Sequence, residues 1–348
     1  MNNSFQYDAL VEFGAAVLRA HDVPAEDATL VADSLTIAER WGHASHGLLR
    51  LPWYVERLRS GAMNPVTHIT IDTDRGAVVA ADAHDGIGQI VADRMTTLAI
   101  AKARDHGVGV VGVRNSNHFG TAAYFTRRAA AQGFAAILTT NGSPAMAPWG
   151  GLDKVVGANP WSFATPDGLG DTAVVDIANT GVARGKIYAA QERGDNLPDG
   201  WALDRNGEPT TDPSAALDDG IVLPMGGHKG YAISFMMDVF SGVLTGSAYG
   251  TGVHGPWEST PRSGSGHLVI VIDIRAFQPL ERFEERMRDL VGQVQSVRKG
   301  PGVQQIFYPG EIENGKAAAA GLIDLPETTI AGLQDLAAQT DNEFPAPS

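Results

Sequence analysis

The chain has 348 residues, of which 43% are hydrophobic and 19% charged, and its formal net charge is −14. That balance gives a folded protein with ample apolar surface to bury, and the acidic surplus makes nucleic acid and anionic membrane poor partners. There is no cysteine, which excludes disulfides, thiolate catalysis and Cys-ligated metal centres.

The first sixty residues read as helices. Tyr7–His21 carries Leu10, Val11, Phe13, Val17 and Leu18 at helical spacing, and Ala25–Trp41 repeats the pattern. Ser45–Ser60 is expected to be a third helix, with Leu48, Leu51, Tyr54, Val55 and Leu58 on one face and Pro52 near its first turn. Strands are expected at His68–Ile71 and Ala77–Ala81, around a turn at Asp72–Gly76. Helix and strand then alternate: Ile87–Asp105, Val108–Val113, Phe119–Gln132 and Phe134–Thr139. Strands at Trp161–Thr165 and Ala173–Ile177 precede helices at Val182–Gln191 and Lys229–Leu244. The polar stretch Gln191–Asp218 reads as a long loop region. Leu268–Ile274 is a strand, and Phe283–Val297 and Thr328–Ala338 are helices. The alternation indicates an α/β fold. The N-terminus shows no basic segment followed by an apolar run, and the longest apolar stretches are too short to span a bilayer, so a cytoplasmic location is expected.

Gly107-Val108-Gly109-Val110-Val111-Gly112 spells GxGxxG. A dinucleotide fingerprint needs those glycines after a strand and opening a helix; here they follow a helix and lie in the strand, so an ordinary Rossmann assignment fails. His43 and His46 stand three residues apart, with Arg50 four beyond. On a helix this is a partial metal site, or an acid–base imidazole assisted by Ser45 beside a guanidinium that clamps a carboxylate, or a capped surface helix. An acidic chain that binds an anion needs such a local cation. Arg114-Asn115-Ser116-Asn117-His118-Phe119-Gly120 is a dense polar run at a strand end leading into a helix, where α/β sheets bind ligands. Gly226-Gly227-His228-Lys229-Gly230 opens the long helix and makes a plausible anion cradle.

These segments occur together and in order. With Ala147–Gly151, Gly157–Pro160, Ala183–Ile187, Gly200–Asp204, Pro209–Pro213 and Pro309–Glu311, the chain resembles the type II malate/L-lactate dehydrogenase family. The resemblance implies a non-Rossmann α/β fold with a mixed central sheet. It implies a helical domain built from residues 1–75 and 283–348 and a cofactor-binding domain over 76–282. It implies a homodimer that interconverts a small 2-hydroxy acid and its 2-oxo acid with NAD or NADP, NAD being favoured, and with no metal. His46, assisted by Ser45, would move the proton, with His118 as the alternative. Arg50, Tyr54, Asn179 and Thr180 would meet the substrate. The cofactor would touch His118, Phe119, Gly120, Thr121, Ala122, Asp176, Ile177, Ala178, His228, Lys229, Pro309, Gly310 and Glu311. Lys186 stands where the family's cyclic-imine reductases carry an Asp, which argues for hydroxy-acid chemistry; imine reduction and a metal-dependent lyase or hydrolase are the rivals. Arg127 and Arg128 offer a contact to a 2′-phosphate, but read first as a solvated helix face.

Overall fold

The computed structural model describes residues 3–182, 184–319 and 321–348. A short strand β1 (Ser4–Gln6) leads into α1 (Tyr7–Arg19) and α2 (Ala25–Trp41). Leu10, Phe13 and Val17 recur at helical spacing on α1 and are buried against Val31 and Leu35 of α2. The expected helix from Ser45 is broken. Two short 3-10 turns, Ala44–His46 and Leu48–Arg50, precede α3 (Leu51–Ser60), and Gly47 between them is extended. Pro52 sits in the first turn of α3, where its missing N–H costs nothing.

A seven-stranded mixed sheet forms the centre among the described residues. It runs β2 (Thr70–Arg75), β3 (Val78–Asp82), β4 (Val108–Ser116), β13 (Ser265–Asp273), β5 (Phe134–Thr140), β8 (Trp161–Pro166) and β9 (Thr172–Ile177) in space. Asp72, Thr73 and Asp74 belong to β2 rather than to a turn, because the hairpin closes only at Gly76. β3 and β4 are parallel, joined by α4 (Gly88–His106). Every other neighbouring pair is antiparallel. The GxGxxG string is a packing device. A Cβ on Gly109 would lie 2.0 Å from the Ala99 carbonyl oxygen, so its absence lets α4 lie on β4.

Beyond β4 the chain runs as a loop through Phe119–Ala122, and α5 (Ala123–Ala130) starts later than its apolar spacing suggests. β6 (Pro144–Met146) and β7 (Val156–Gly157) pair off the main sheet, and β8 (Trp161–Pro166) and β9 (Thr172–Ile177) complete it. After α6 (Arg184–Arg193), the expected loop region holds β10 (Ala202–Leu203), β11 (Pro209–Thr210), α7 (Pro213–Leu217) and β12 (Ile221–Val222). Ala202, Val222 and Ile187 bury one small core there. Ala183, from one of the family-like stretches, lies outside the described residues. α8 (His228–Asp238) continues into a π turn at Val239–Val243. β13 (Ser265–Asp273), α9 (Leu280–Gln295), α10 (Glu311–Ala319), β14 (Leu322–Asp324) and α11 (Glu327–Thr340) follow.

The two chain ends meet. β1 pairs antiparallel with β14, and Ile323, Leu333 and Leu336 join Leu10, Leu18, Leu35 and Leu51 in one core. The boundary expected at 75/76 falls inside the β2–β3 hairpin, and that at 282/283 inside α9. A second core lies between the sheet and α4 with α5, built from Val79, Val91, Met95, Val111, Phe125, Leu138 and Val269.

His267 on β13 borders that core. It is 1% exposed, with Nδ1 2.8 Å from Thr140 Oγ1 and its ring edge-on to Phe119 at 4.7 Å. Burial pushes its pKa down to about 4. The folded state therefore binds fewer protons than the unfolded chain from that value up to the ordinary imidazole range. The stability His267 contributes is complete above about pH 6.5 and is lost as pH falls toward 4. Urea unfolding should show roughly 2 kcal/mol less stability at pH 5 than at pH 7 from this group, and His267→Gln should flatten that dependence. An unchanged slope in the variant would assign acid sensitivity to other groups.

Candidate active site

Two walls meet at a pair of imidazoles. The first wall is the broken turn between α2 and α3. Glu39, on α2, is partly buried and its Oε1 accepts the Leu48 N–H at 2.8 Å. Burial raises its pKa to about 7, against the pull of that hydrogen bond. A Cβ on Gly47 would stand 2.1 Å from the same oxygen, so a larger residue there would displace the Glu39 carboxylate from the Leu48 N–H. His46 and Arg50 lie on either side of this pivot. They are brought together by the turns and not by one helical face.

Arg50 donates through Nε to the Ser45 carbonyl at 2.7 Å, and its guanidinium carbon lies 4.2 Å over the Trp53 ring. Its two terminal nitrogens carry no hydrogen bond among the described residues. The Ser45 hydroxyl is 2.9 Å from His46 Nδ1. Burial pushes the His46 pKa down to about 3, with the charge of Arg50 and then His43 adding to the effect. The residue is only partly buried by its accessible surface, and its imidazole is neutral.

The second wall is the end of β4. Asn117 is fully buried. Its Oδ1 accepts from Arg57 Nη2 at 3.1 Å, and its amide donates to the carbonyls of Asp85 and Gly86 at 3.0 Å. Arg57, 1% exposed, also donates to the carbonyls of Pro261 and Glu258. These bonds fix His118, the next residue. Its ring stacks on His46 at 5.8 Å between centroids and 19° between planes. The Tyr54 hydroxyl is 2.7 Å from His118 Nδ1. Burial holds the His118 pKa well below its ordinary value, and the charges of Arg50, His46, His267 and Arg57 push the same way.

Beside these walls lies a cavity of about 200 Å³. Trp41, Val174 and Ile177 give it apolar faces, and Asp176, His43, Glu313 and Arg127 give it charge, with Pro309 and Gly310 at the edge. Asp176 Oδ2 accepts the Ala123 N–H at 2.7 Å and the Thr121 hydroxyl. Burial raises the Asp176 pKa. Arg127 is not a solvated helix face. Its side chain is 11% exposed and packs 4.9 Å from the Trp41 ring, and its Nε and Nη2 are buried with no partner. Arg128 does reach solvent and pairs with Asp93. His43 lines this cavity 3.6 Å from Glu313. Apolar walls for a flat base beside polar groups suit a nucleoside.

Three expected site residues serve the scaffold with their side chains. Asn179 is fully buried; its Oδ1 accepts from Trp161 Nε1 at 3.1 Å, and its amide donates to the carbonyls of Asn159 and Ala158 at 2.7 and 3.2 Å. Glu311 accepts from Gln295, Gln305 and the Tyr308 N–H, closing its own loop. Phe119 is 3% exposed in the core under the His118 loop. Thr180 bridges to Pro224 just before the loop that opens α8, where His228 and Lys229 are exposed and His228 faces Trp149 at 6.1 Å. No hydrogen bond, ion pair or ring contact joins His228 or Lys229 to the His46 group among the described residues. Nor do three His, Asp or Glu side chains converge on a metal-sized site among them. Glu39, Arg57 and His267 were missed in the sequence because nothing local marks them.

A profile of the malate/L-lactate dehydrogenase family matches residues 5–334. The chain is 38% identical to a malate dehydrogenase of Pyrococcus horikoshii, covering 87% of this chain and 86% of that one. It is 34% identical to an NAD(+) ureidoglycolate dehydrogenase of Escherichia coli K12, covering 85% of each. The solved sulfolactate dehydrogenase of Methanocaldococcus jannaschii superposes with a TM-score of 0.93 at 34% identity, over 98% of both chains. With the mixed sheet and the paired imidazoles, these matches settle the ancestry: the chain belongs to the malate/L-lactate dehydrogenase family.

Proposed function

We propose that this protein interconverts a small 2-hydroxy acid and its 2-oxo acid with NAD or NADP. The observation that carries the reading is the pairing of His46 with the free end of Arg50 across the Gly47 pivot. Two parallel guanidinium N–H groups suit a carboxylate, and the terminal nitrogens of Arg50 carry no hydrogen bond among the described residues. With the acid held there, the C2 oxygen falls to the neighbouring imidazole. Neutral His46 takes the hydroxyl proton during oxidation and returns it during reduction. The Ser45 hydroxyl orients the ring through Nδ1. A bound carboxylate also offsets the Arg50 charge that depresses His46, so its pKa rises toward a useful range when substrate is present. The nicotinamide, when bound, supplies or accepts the hydride. His46→Ala should lower kcat by about 10³-fold with cofactor affinity kept. Arg50→Ala should chiefly raise KM for the acid. Turnover at the wild-type rate in His46→Ala would remove the assignment. The assay is absorbance at the reduced-nicotinamide band across a panel of 2-oxo acids and cyclic imines, with and without a chelator; turnover of imines alone, or loss with the chelator, would favour the rivals.

The cavity beside Asp176 is the place for the adenosine half of the cofactor, held by the residues from Thr121 to Ala123, Asp176 to Ala178 and Pro309-Gly310. We infer NAD. The Asp176 and Glu313 carboxylates there suit a ribose hydroxyl and repel a 2′-phosphate. NADH should exceed NADPH in kcat/KM by about tenfold or more. If NADPH wins and Arg127→Ala abolishes that advantage, the unpartnered nitrogens of Arg127 read the phosphate instead.

We further propose a homodimer, in the cytoplasm where the nicotinamide pools lie. Phe235 (50% exposed), Met236 (43%), Val243 (55%) and Leu244 (63%) form an apolar patch along α8 and its π turn. A run of this kind suits a second copy. Light scattering should give twice the chain mass, and Leu244→Asp should shift it toward the monomer.

A further inference from the structure

The roles of the two stacked imidazoles are separated by what touches their ring nitrogens. Two groups face His118 Nδ1. The Gly120 N–H donates to it at 3.3 Å, and the Tyr54 hydroxyl stands 2.7 Å away. A backbone N–H can only donate, so Nδ1 must present its lone pair. Tyr54 is 1% exposed, and burial raises its pKa, so its hydroxyl keeps its proton and donates as well. Neutral His118 then carries its proton on Nε2. The charged and titratable groups acting on the ring are Arg50, His46, His267 and Arg57, and none is a carboxylate. Nothing present favours the imidazolium. His46 differs: its Nδ1 meets the Ser45 hydroxyl, which turns to donate or accept, so both its neutral and its charged forms are accommodated.

We propose that His118 is a fixed, neutral hydrogen-bond donor locked by Tyr54 and Gly120, with Nε2–H directed to the C2 oxygen of the substrate, while His46 alone changes protonation. The identity of that oxygen rests on the function proposed above; the lock does not. In reduction, Nε2–H polarises the C2 carbonyl, hydride adds to C2, and the oxygen takes its proton from His46, so His118 ends as it began. A neutral imidazole donates without first having to gain a proton, which suits a site this poor in negative charge. Tyr54 acts through His118 and is a positioning residue.

Long-range 1H–15N spectra of 15N-histidine protein without ligand test the lock directly, with His118 assigned by its loss in His118→Gln. The expected result at pH 7 is a bare Nδ1 and a protonated Nε2, still neutral at pH 5. Nδ1–H, or an imidazolium at pH 7, would overturn the proposal whatever the substrate is. In Tyr54→Phe the Nδ1 and Nε2 signals should move toward a tautomer mixture, with kcat down about tenfold and KM for the acid little changed. Turnover separates the roles further. Gln offers an amide N–H near Nε2 but cannot shuttle a proton. His118→Gln should stay within about tenfold of wild type and keep the wild-type pH limb, whereas His118→Ala should lose about 10²-fold. Equal losses in the two variants would make His118 a proton carrier and refute the assignment.

Discussion

One carboxylate braces the geometry of the turn that carries His46. Glu39, on α2, accepts the Leu48 N–H across the turn. That bond takes up the Leu48 N–H, and the chain does not run as one helix from Ser45 onward. The chain makes two tight turns instead, which set His46 and Arg50 on either side of Gly47. Arg50 Nε then locks back onto Ser45. The price is a carboxyl group whose pKa burial lifts to about 7, a cost carried by the core on which α2 rests. Stability stored where the termini pack is thus converted into position at the site.

The facing wall is built by different means. Arg57, a guanidinium almost without exposure, ties Asn117 to the carbonyls of Pro261 and Glu258 and so holds the end of β4 rigid. An acidic protein gathers Arg50, Arg57, His46 and His118 here, with Asp85 and Glu258 acting on Arg57 and Glu39 bonded to the turn behind Gly47. Burial pushes the two guanidinium groups and the two imidazoles toward their neutral forms. The free end of Arg50 is the group that would meet an anion, whose charge would offset the pull of Arg50 on His46. In the proposed reaction, carboxylate binding and readiness for proton transfer are coupled through that one contact.

The sequence made the sheet strands, α1, α2 and α4 legible because their apolar periods are long and unbroken. It made His46, Arg50 and His118 legible as chemistry at element boundaries. The turn at Gly47 was hidden, since Leu48, Leu51, Tyr54 and Val55 keep helical spacing across the break and its brace, Glu39, lies on another helix. Arg127 looked solvated beside Arg128, yet one turns into a cavity and the other into water; adjacent residues on a helix point about 100° apart, and only the packing of Trp41 decides which is inside. β1 and β14 were invisible because each is three residues long and neither has a partner nearby in the chain.

The failed GxGxxG reading has a deeper consequence. In a Rossmann domain the pyrophosphate is held by backbone N–H groups at a helix start, a device indifferent to most side chains. Here Gly109 serves helix–strand packing, and the cavity that suits a nucleoside is walled by side chains from α2, α5, β9 and the loop at Pro309. Side-chain walls change with single substitutions, whereas a backbone cradle does not. If the cofactor sits in this cavity as proposed, exchanging groups such as Asp176 and Arg127 would change which nicotinamide cofactor it takes while leaving the turn at Gly47 in place. The cavity and the imidazole pair are nonetheless linked, through His43 beside His46 and through the loop that carries His118 to Thr121 and Asp176.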